Sequence, residues 1–309
     1  MLKLIKCIVI YIICSTLFTS SANSTENKIL FKINNKIITS LDILNELNYL
    51  KIINKEFKKT NNKQAFEISK NSLIREKIKE IEITRIIKEL KIDDNTLNNV
   101  ILDYFKELQI KSISEFESFF LNKKIDPNYI KKKITIELLW NQLIFSRFNQ
   151  NIKIDEEIER KILSNKDKQK EFLISEILFN ISENEELNKK FELIEKSIDN
   201  TNFSQTALAY SDSNTANKGG LVGWIKETAL NKKISNQLKK LKINEYTKPM
   251  ITPGGFLILK VKDVRNATQD FNLDDEVKKV IKEKSNQQLN QFSNIYFNKL
   301  KKDIKINEL

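Results

Sequence analysis

The chain has no histidine, which excludes any chemistry built on imidazole, from serine–histidine triads to histidine-ligated zinc. Its two cysteines, Cys7 and Cys14, both sit in an N-terminal apolar stretch. Without that stretch no thiol remains for a disulfide, a metal site or a nucleophile, so neither a cofactor nor a metal is expected. Glycine and proline are scarce and confined. All five glycines (Gly219, Gly220, Gly223, Gly254, Gly255) and two of the three prolines (Pro249, Pro253) lie between 219 and 255. Residues 23–218 contain no glycine and one proline, Pro127, which argues for helices joined by short polar connections. After the N-terminal stretch there is no apolar run long enough to cross a membrane.

What is present is charge. The 309 residues are 30% charged and 40% hydrophobic, with a net charge of +12. The excess of lysine is spread along the chain with acidic residues interspersed, and no aromatic-basic signature accompanies it. Nucleic acid is therefore not an expected partner.

Residues 1–22 have the three parts of an export signal. Lys3 and Lys6 give the positive start, Cys7 to Phe18 the apolar centre, and Ser20, Ser21 and Ala22 the small residues near a cut. Ile12 and Ile13 are too bulky for a lipoprotein signal at Cys14. The alternative is an uncleaved anchor tethering the chain to the membrane.

The next segment opens as a hairpin. Two short apolar runs, 29–33 and 36–38, flank Asn34 and Asn35. Thr39 with Asp42 has the spacing of a capping box. Periodicity predicts helices over about 64–90, from Asp93 or Asp94, from Ser114, and from Pro127 through Phe148, with a last turn at 153–163. A polar linker, 164–170, follows. From 171 the order is strand, helix, helix, loop, helix, strand, strand, a small α+β unit ending at 265. The tail, 266–309, is mostly one long helix whose apolar stripe (Val277, Val280, Leu289, Phe292, Tyr296, Leu300) calls for the N-terminal helices of 23–163 as partner.

Residues 171–265 resemble a parvulin-type peptidyl-prolyl isomerase domain. The resemblance rests on Phe203 to Ser213, then Gly219 to Trp224, Asn244 to Pro249, and Thr252 to Val261. With the export signal, the hairpin and the returning helix, the chain is similar to the SurA/PrsA/PpiD group of exported chaperones. The best-known SurA proteins carry two parvulin domains, and this chain has room for one. The resemblance implies an α+β fold: a mainly helical SurA-N-like module completed by the C-terminal helix, plus a parvulin domain with a small antiparallel sheet. It implies a periplasmic chaperone whose partners are unfolded, aromatic-rich segments of outer-membrane proteins.

The resemblance also assigns a peptide groove to Glu176, Ser213, Val222, Leu230, Ile234, Thr252 and Leu257. Active members place a histidine in the first strand and another in the last; here those positions hold Glu176 and Leu257. Val222, Leu230 and Ile234 take the proline-pocket positions and Thr252 is retained. Glu176 is either a strand carboxylate without a role or a groove acceptor paired with Ser213 or Tyr210. The alternative functions are a working isomerase with a substituted site and a membrane-tethered foldase at the translocon. For client binding, the exposed members of Phe116, Phe119, Phe120, Trp140, Phe145 and Phe148 are the candidates.

Overall fold

The computed structural model describes residues 27–309 apart from 88, 158, 161–169, 182–184 and 267–271. The export segment, and the linker up to Lys170, lie outside the described residues.

Strands β1 (Ile29–Ile33) and β2 (Lys36–Thr39) pair antiparallel around Asn34 and Asn35. Asn34 sits at φ 49°, the left-handed region that a tight turn requires and asparagine tolerates. Thr39 caps α1 (Ser40–Ile53). Its hydroxyl accepts from the Asp42 amide at 3.2 Å, and the Asp42 carboxylate accepts from the Thr39 amide at 2.8 Å. Asn61, Asp93, Ser112 and Asp126 cap the next four helices: α2 (Asn62–Ile86), α3 (Asp94–Tyr104), α4 (Ile113–Leu121) and α5 (Pro127–Phe148). Helix α2 stops four residues before the periodicity predicts, and its last residue, Ile86, faces outward. Leu50, Phe57, Ile68, Ile101, Phe105 and Phe116 form the core of this bundle.

A buried ionic knot lies inside the bundle. Glu46 accepts from Lys133 Nζ at 2.6 Å, Tyr129 Oη at 2.5 Å and Ser72 Oγ at 2.6 Å, and Lys133 also reaches Glu76 at 2.6 Å. Burial works against the Lys133 charge. The two carboxylates outweigh it and hold the ammonium well above its ordinary range.

The second unit begins with β3 (Lys170–Phe179). It continues with α6 (Leu187–Asn200), α7 (Phe203–Tyr210), β4 (Leu221–Lys226), α8 (Lys232–Leu238), β5 (Met250–Thr252) and β6 (Gly255–Asn266). The four strands make an antiparallel sheet in the order β4-β3-β6-β5. Strand β4 is the element that sequence pattern reads as loop, because three glycines stand in and before it. It forms because Trp224 and Ile225 pair with Leu173 and Phe172 of β3, while Gly223, at φ 110°, takes up a bulge. One sheet face buries Ile177, Phe179 and Ile258 under Phe191 and Ile194 of α6 and Phe203 and Ala207 of α7. The opposite face turns Ile174, Glu176, Leu178, Leu257 and Leu259 toward α8 and the C-terminal helix.

That helix, α9 (Leu273–Asp303), packs against the N-terminal helices as its apolar stripe requires. Phe297 and Tyr296 lie on Trp140, and the Trp140 indole donates to Ser293 Oγ at 2.8 Å. The chain then forms β7 (Ile306–Glu308), which sequence pattern does not predict. It pairs antiparallel with β1, so the first sheet runs β2-β1-β7.

Candidate functional site

The seven groove residues expected from sequence line one hollow of about 230 Å³ on the open face of the four-stranded sheet. Strand alternation explains the floor. In β3, Ile174, Glu176 and Leu178 point the same way, and antiparallel pairing sets Glu176 opposite Leu259 and Leu178 opposite Leu257. Glu176 and Leu257, the two positions of the expected histidines, are thus diagonal neighbours on one face. Leu230 and Ile234 close one side from the start of α8, Val222 comes from β4, and Met250 from β5. Thr252 stands at the rim, where its hydroxyl is committed to the turn and donates to Gly255 O at 2.8 Å.

Glu176 is wired to hydroxyls. Thr215 Oγ1 donates to Glu176 Oε1 at 2.9 Å, and Ser213 Oγ lies 2.7 Å from Thr215 Oγ1. Ser211 Oγ donates to Ser213 Oγ at 3.1 Å and accepts the Leu178 amide at 3.1 Å, which anchors the chain of hydroxyls to the strand. The backbone holds this arrangement tightly. Gly220 lies at φ 76°, and a Cβ there would come within 2.2 Å of Glu176 O. Desolvation by burial pushes the Glu176 carboxyl above its ordinary range, against the opposing pull of the Thr215 and Ser213 hydroxyls. Glu176 therefore supplies the groove with a buried carboxyl that takes a proton more easily than an exposed one. Of its two expected partners, Ser213 is reached through Thr215. Tyr210 lines separate clefts beside α2 and does not reach the groove.

Three residue sets here escape sequence reading. Thr215, the direct partner of Glu176, is only two residues from Ser213, and the serine-threonine run 211–215 is the one trace of it. Ile174, Ile225, Met250 and Leu259 complete the apolar floor. The fourth wall comes from α9, which lines the groove with Gln287, Asn290, Gln291 and Asn294.

The aromatic candidates divide. Phe116 and Phe120 are fully buried, because one turn apart on α4 they both clasp Phe105, with ring centroids 5.5 and 5.1 Å away. Trp140 is fully buried against Tyr296 and Phe297. These three are core residues, which corrects their place among client-binding candidates. Phe119 is partly covered, edge-on to Phe120 and beneath Lys123 Nζ at 5.0 Å. Phe145 is 54% exposed. Phe148 stacks on Phe292 at 5.2 Å, and the two, with Ile295 and Tyr296, line a shallow hollow of about 370 Å³ between α5 and α9. Among the described residues no helix is long and apolar enough to cross a membrane.

Sheet order, helix placement and a one-sided groove define a parvulin-type α+β domain, and residues 176–263 match the rotamase model, a PPIC-type PPIASE domain. Over more of its length the chain is SurA-like. It is 27% identical over 188 residues to a chaperone SurA of Pseudomonas fluorescens, a match covering 57% of this chain and 44% of that one. It is 37% identical over 75 residues to the chaperone SurA of Pseudomonas putida, covering 24% of this chain and 17% of that one. The chain spans less than half the length of these curated relatives. A solved structure from work on PEB4 and Cj1289, described as two SurA-like chaperones of Campylobacter jejuni, aligns over 92% of this chain and 99% of its own. Its identity is 17% and its TM-score 0.36.

Proposed function

We propose that the chain is an exported chaperone that holds unfolded polypeptides in the periplasm, aromatic-rich segments of outer-membrane proteins among them, with a parvulin groove that binds extended peptide and isomerises it poorly. One observation carries the reading. The groove keeps its apolar floor, while Glu176, hydrogen-bonded to Thr215, and Leu257 stand at the two positions where active members of the family have histidines. Prolyl isomerisation rotates an amide over a barrier of about 18–20 kcal/mol without making a covalent bond. A groove lowers that barrier only by binding the twisted amide better than the planar one. An apolar floor binds both alike, so it favours holding over turnover. The hollow at Phe148 and Phe292 and the exposed Phe145 ring supply a second apolar surface for clients.

The test is light scattering. An outer-membrane β-barrel protein diluted from urea should aggregate less when this chain, lacking residues 1–22, is present in a few-fold excess. Unchanged scattering would overturn the proposal. A second reading, efficient isomerisation, draws support from the Thr215–Glu176 hydrogen bond at the groove floor. It requires a prolyl-peptide assay to show turnover well above the uncatalysed rate.

A further inference from the structure

The groove's fourth wall has an unusual composition. Helix α9 is rich in charge at both ends, with Lys278, Lys279, Lys282, Glu283 and Lys284 before the groove and Lys299, Lys301 and Lys302 beyond it. Between them, residues 285–298 contain no charged side chain, in a chain that is 30% charged. Two amides of this stretch have structural partners: Gln288 donates to Lys153 O at 3.0 Å, and Asn298 to Gly254 O at 3.3 Å. Four others, Gln287, Asn290, Gln291 and Asn294, share one helix face at the i, i+3, i+4, i+7 spacing and line the groove. Among the described residues none of these four has a side-chain hydrogen bond to the protein. Their position is held at the edge of the groove. The turn between β5 and β6 abuts α9, where a Cβ on Gly254 would lie 3.2 Å from Asn294 Cβ.

Chemistry gives the amides a use. A lysine or glutamate at this wall would be stripped of water when a peptide covers the apolar floor, at a substantial cost. A carboxamide carries an acceptor and two donors, the complement of a peptide unit's N–H and C=O, and it is indifferent to which side chains the peptide bears. The parvulin floor itself is mostly apolar and offers a peptide main chain little to bond.

We infer that the amide face of α9 is the second half of the peptide groove: Gln287, Asn290, Gln291 and Asn294 hydrogen-bond the main chain of an extended segment whose prolyl or branched apolar side chain rests on the parvulin floor. The inference rests on the peptide-binding reading of the groove. It makes the site a composite of two parts of the chain and explains how one groove accepts many sequences.

Fluorescence anisotropy with the full chain tests it. The probe is a labelled ten-residue peptide with a central Ala-Pro step among valines and leucines. A second probe has the same sequence with the peptide nitrogens on either side of that step methylated. Wild-type protein should bind the methylated probe about tenfold more weakly. The variant carrying Gln287→Ala, Asn290→Ala, Gln291→Ala and Asn294→Ala should bind the first probe about tenfold more weakly and no longer distinguish the two. Alanine at these helix positions favours the helix, and the wild-type comparison of the two probes needs no variant. Ile234→Asp, on the floor, should abolish binding of both. Loss of binding in Ile234→Asp with the four-alanine variant unaffected would overturn the role of α9 and leave the groove reading standing. Failure of wild-type protein to bind either probe would overturn the groove reading, and this inference with it.

Discussion

Glu176 concentrates the chemistry of the groove in one side chain. Its carboxyl is raised by desolvation, and its nearest donor is a neutral hydroxyl, not a cation. A carboxyl whose folded pKa lies above its ordinary 4.5 stabilises the fold fully below that pH, and that contribution is lost as pH rises through the folded value. Replacing it with a neutral isostere removes the penalty of holding a charge there. Glu176→Gln should therefore raise the urea midpoint at pH 7, and the difference from wild type should close below about pH 4.5. An equal or lower midpoint at pH 7 would show that the ionised carboxylate is well satisfied. The position of Glu176 in the groove was legible only through the resemblance to parvulin domains. Its partner was not, because Thr215 reaches it across a loop that closes only when Gly219 and Gly220 adopt positive φ.

Among the elements, β7 does more than its three residues suggest. It faces β1 at Ile33, Lys32 and Phe31, and the Asn34 amide donates to Lys305 O at 3.1 Å while the Lys305 amide donates to Asn34 Oδ1 at 3.1 Å. The first hairpin thus depends on the last residues of the described chain. A two-stranded hairpin is marginal alone, and a third strand makes it a stable sheet. Deleting residues 304–309 should destabilise the protein by roughly 2–4 kcal/mol, at about 1 kcal/mol for each hydrogen bond lost. Chemical denaturation measures this, and an unchanged midpoint would show that α9 alone secures the tail. Helix α9 was legible from its apolar stripe, and its docking partner followed because that stripe needed a cover. Strands β4 and β7 were not legible. Each is short, and each exists only because a partner strand stands open beside it.

At the scale of the molecule, the parvulin unit meets the helical bundle through Leu208 of α7, buried in the bundle core, and through a set of polar contacts. Arg75 donates to Asn217 Oδ1 at 3.0 Å and Ser211 O at 3.3 Å, Lys79 reaches Asn214 Oδ1 at 3.2 Å, and Gln205 donates to Glu56 O at 2.9 Å. Arg75, Lys79, Asn214 and Asn217 line a cavity of about 290 Å³ that also takes in Tyr104, Lys133 and Phe297. Burial lowers the Arg75 guanidinium from its usual range, against the pull of Asp212, Glu46 and Glu137, so its place at the junction depends on those hydrogen bonds. Arg75→Ala should loosen the junction. The expected result is faster amide exchange in 211–218 with little change inside β3 and β6. Equal exchange would assign the docking to Leu208 in the bundle core and the α9 contact at Gly254.

Local chemistry decided much of this protein before any folding. Thr39 with Asp42, and Asp126 with Pro127, start helices through bonds within a few residues. Alternation in β3 set which side chains face the groove, and the lack of histidine excluded imidazole at the site. Tertiary structure alone decided which phenylalanines are sealed and which stay open, what stands beside Glu176, and that a helix beginning at Leu273 walls a groove whose floor begins at Ile174. Those outcomes depend on contacts between segments far apart in the chain. Pattern along a sequence records how a residue relates to its neighbours in order, whereas burial and partnership are set by neighbours in space.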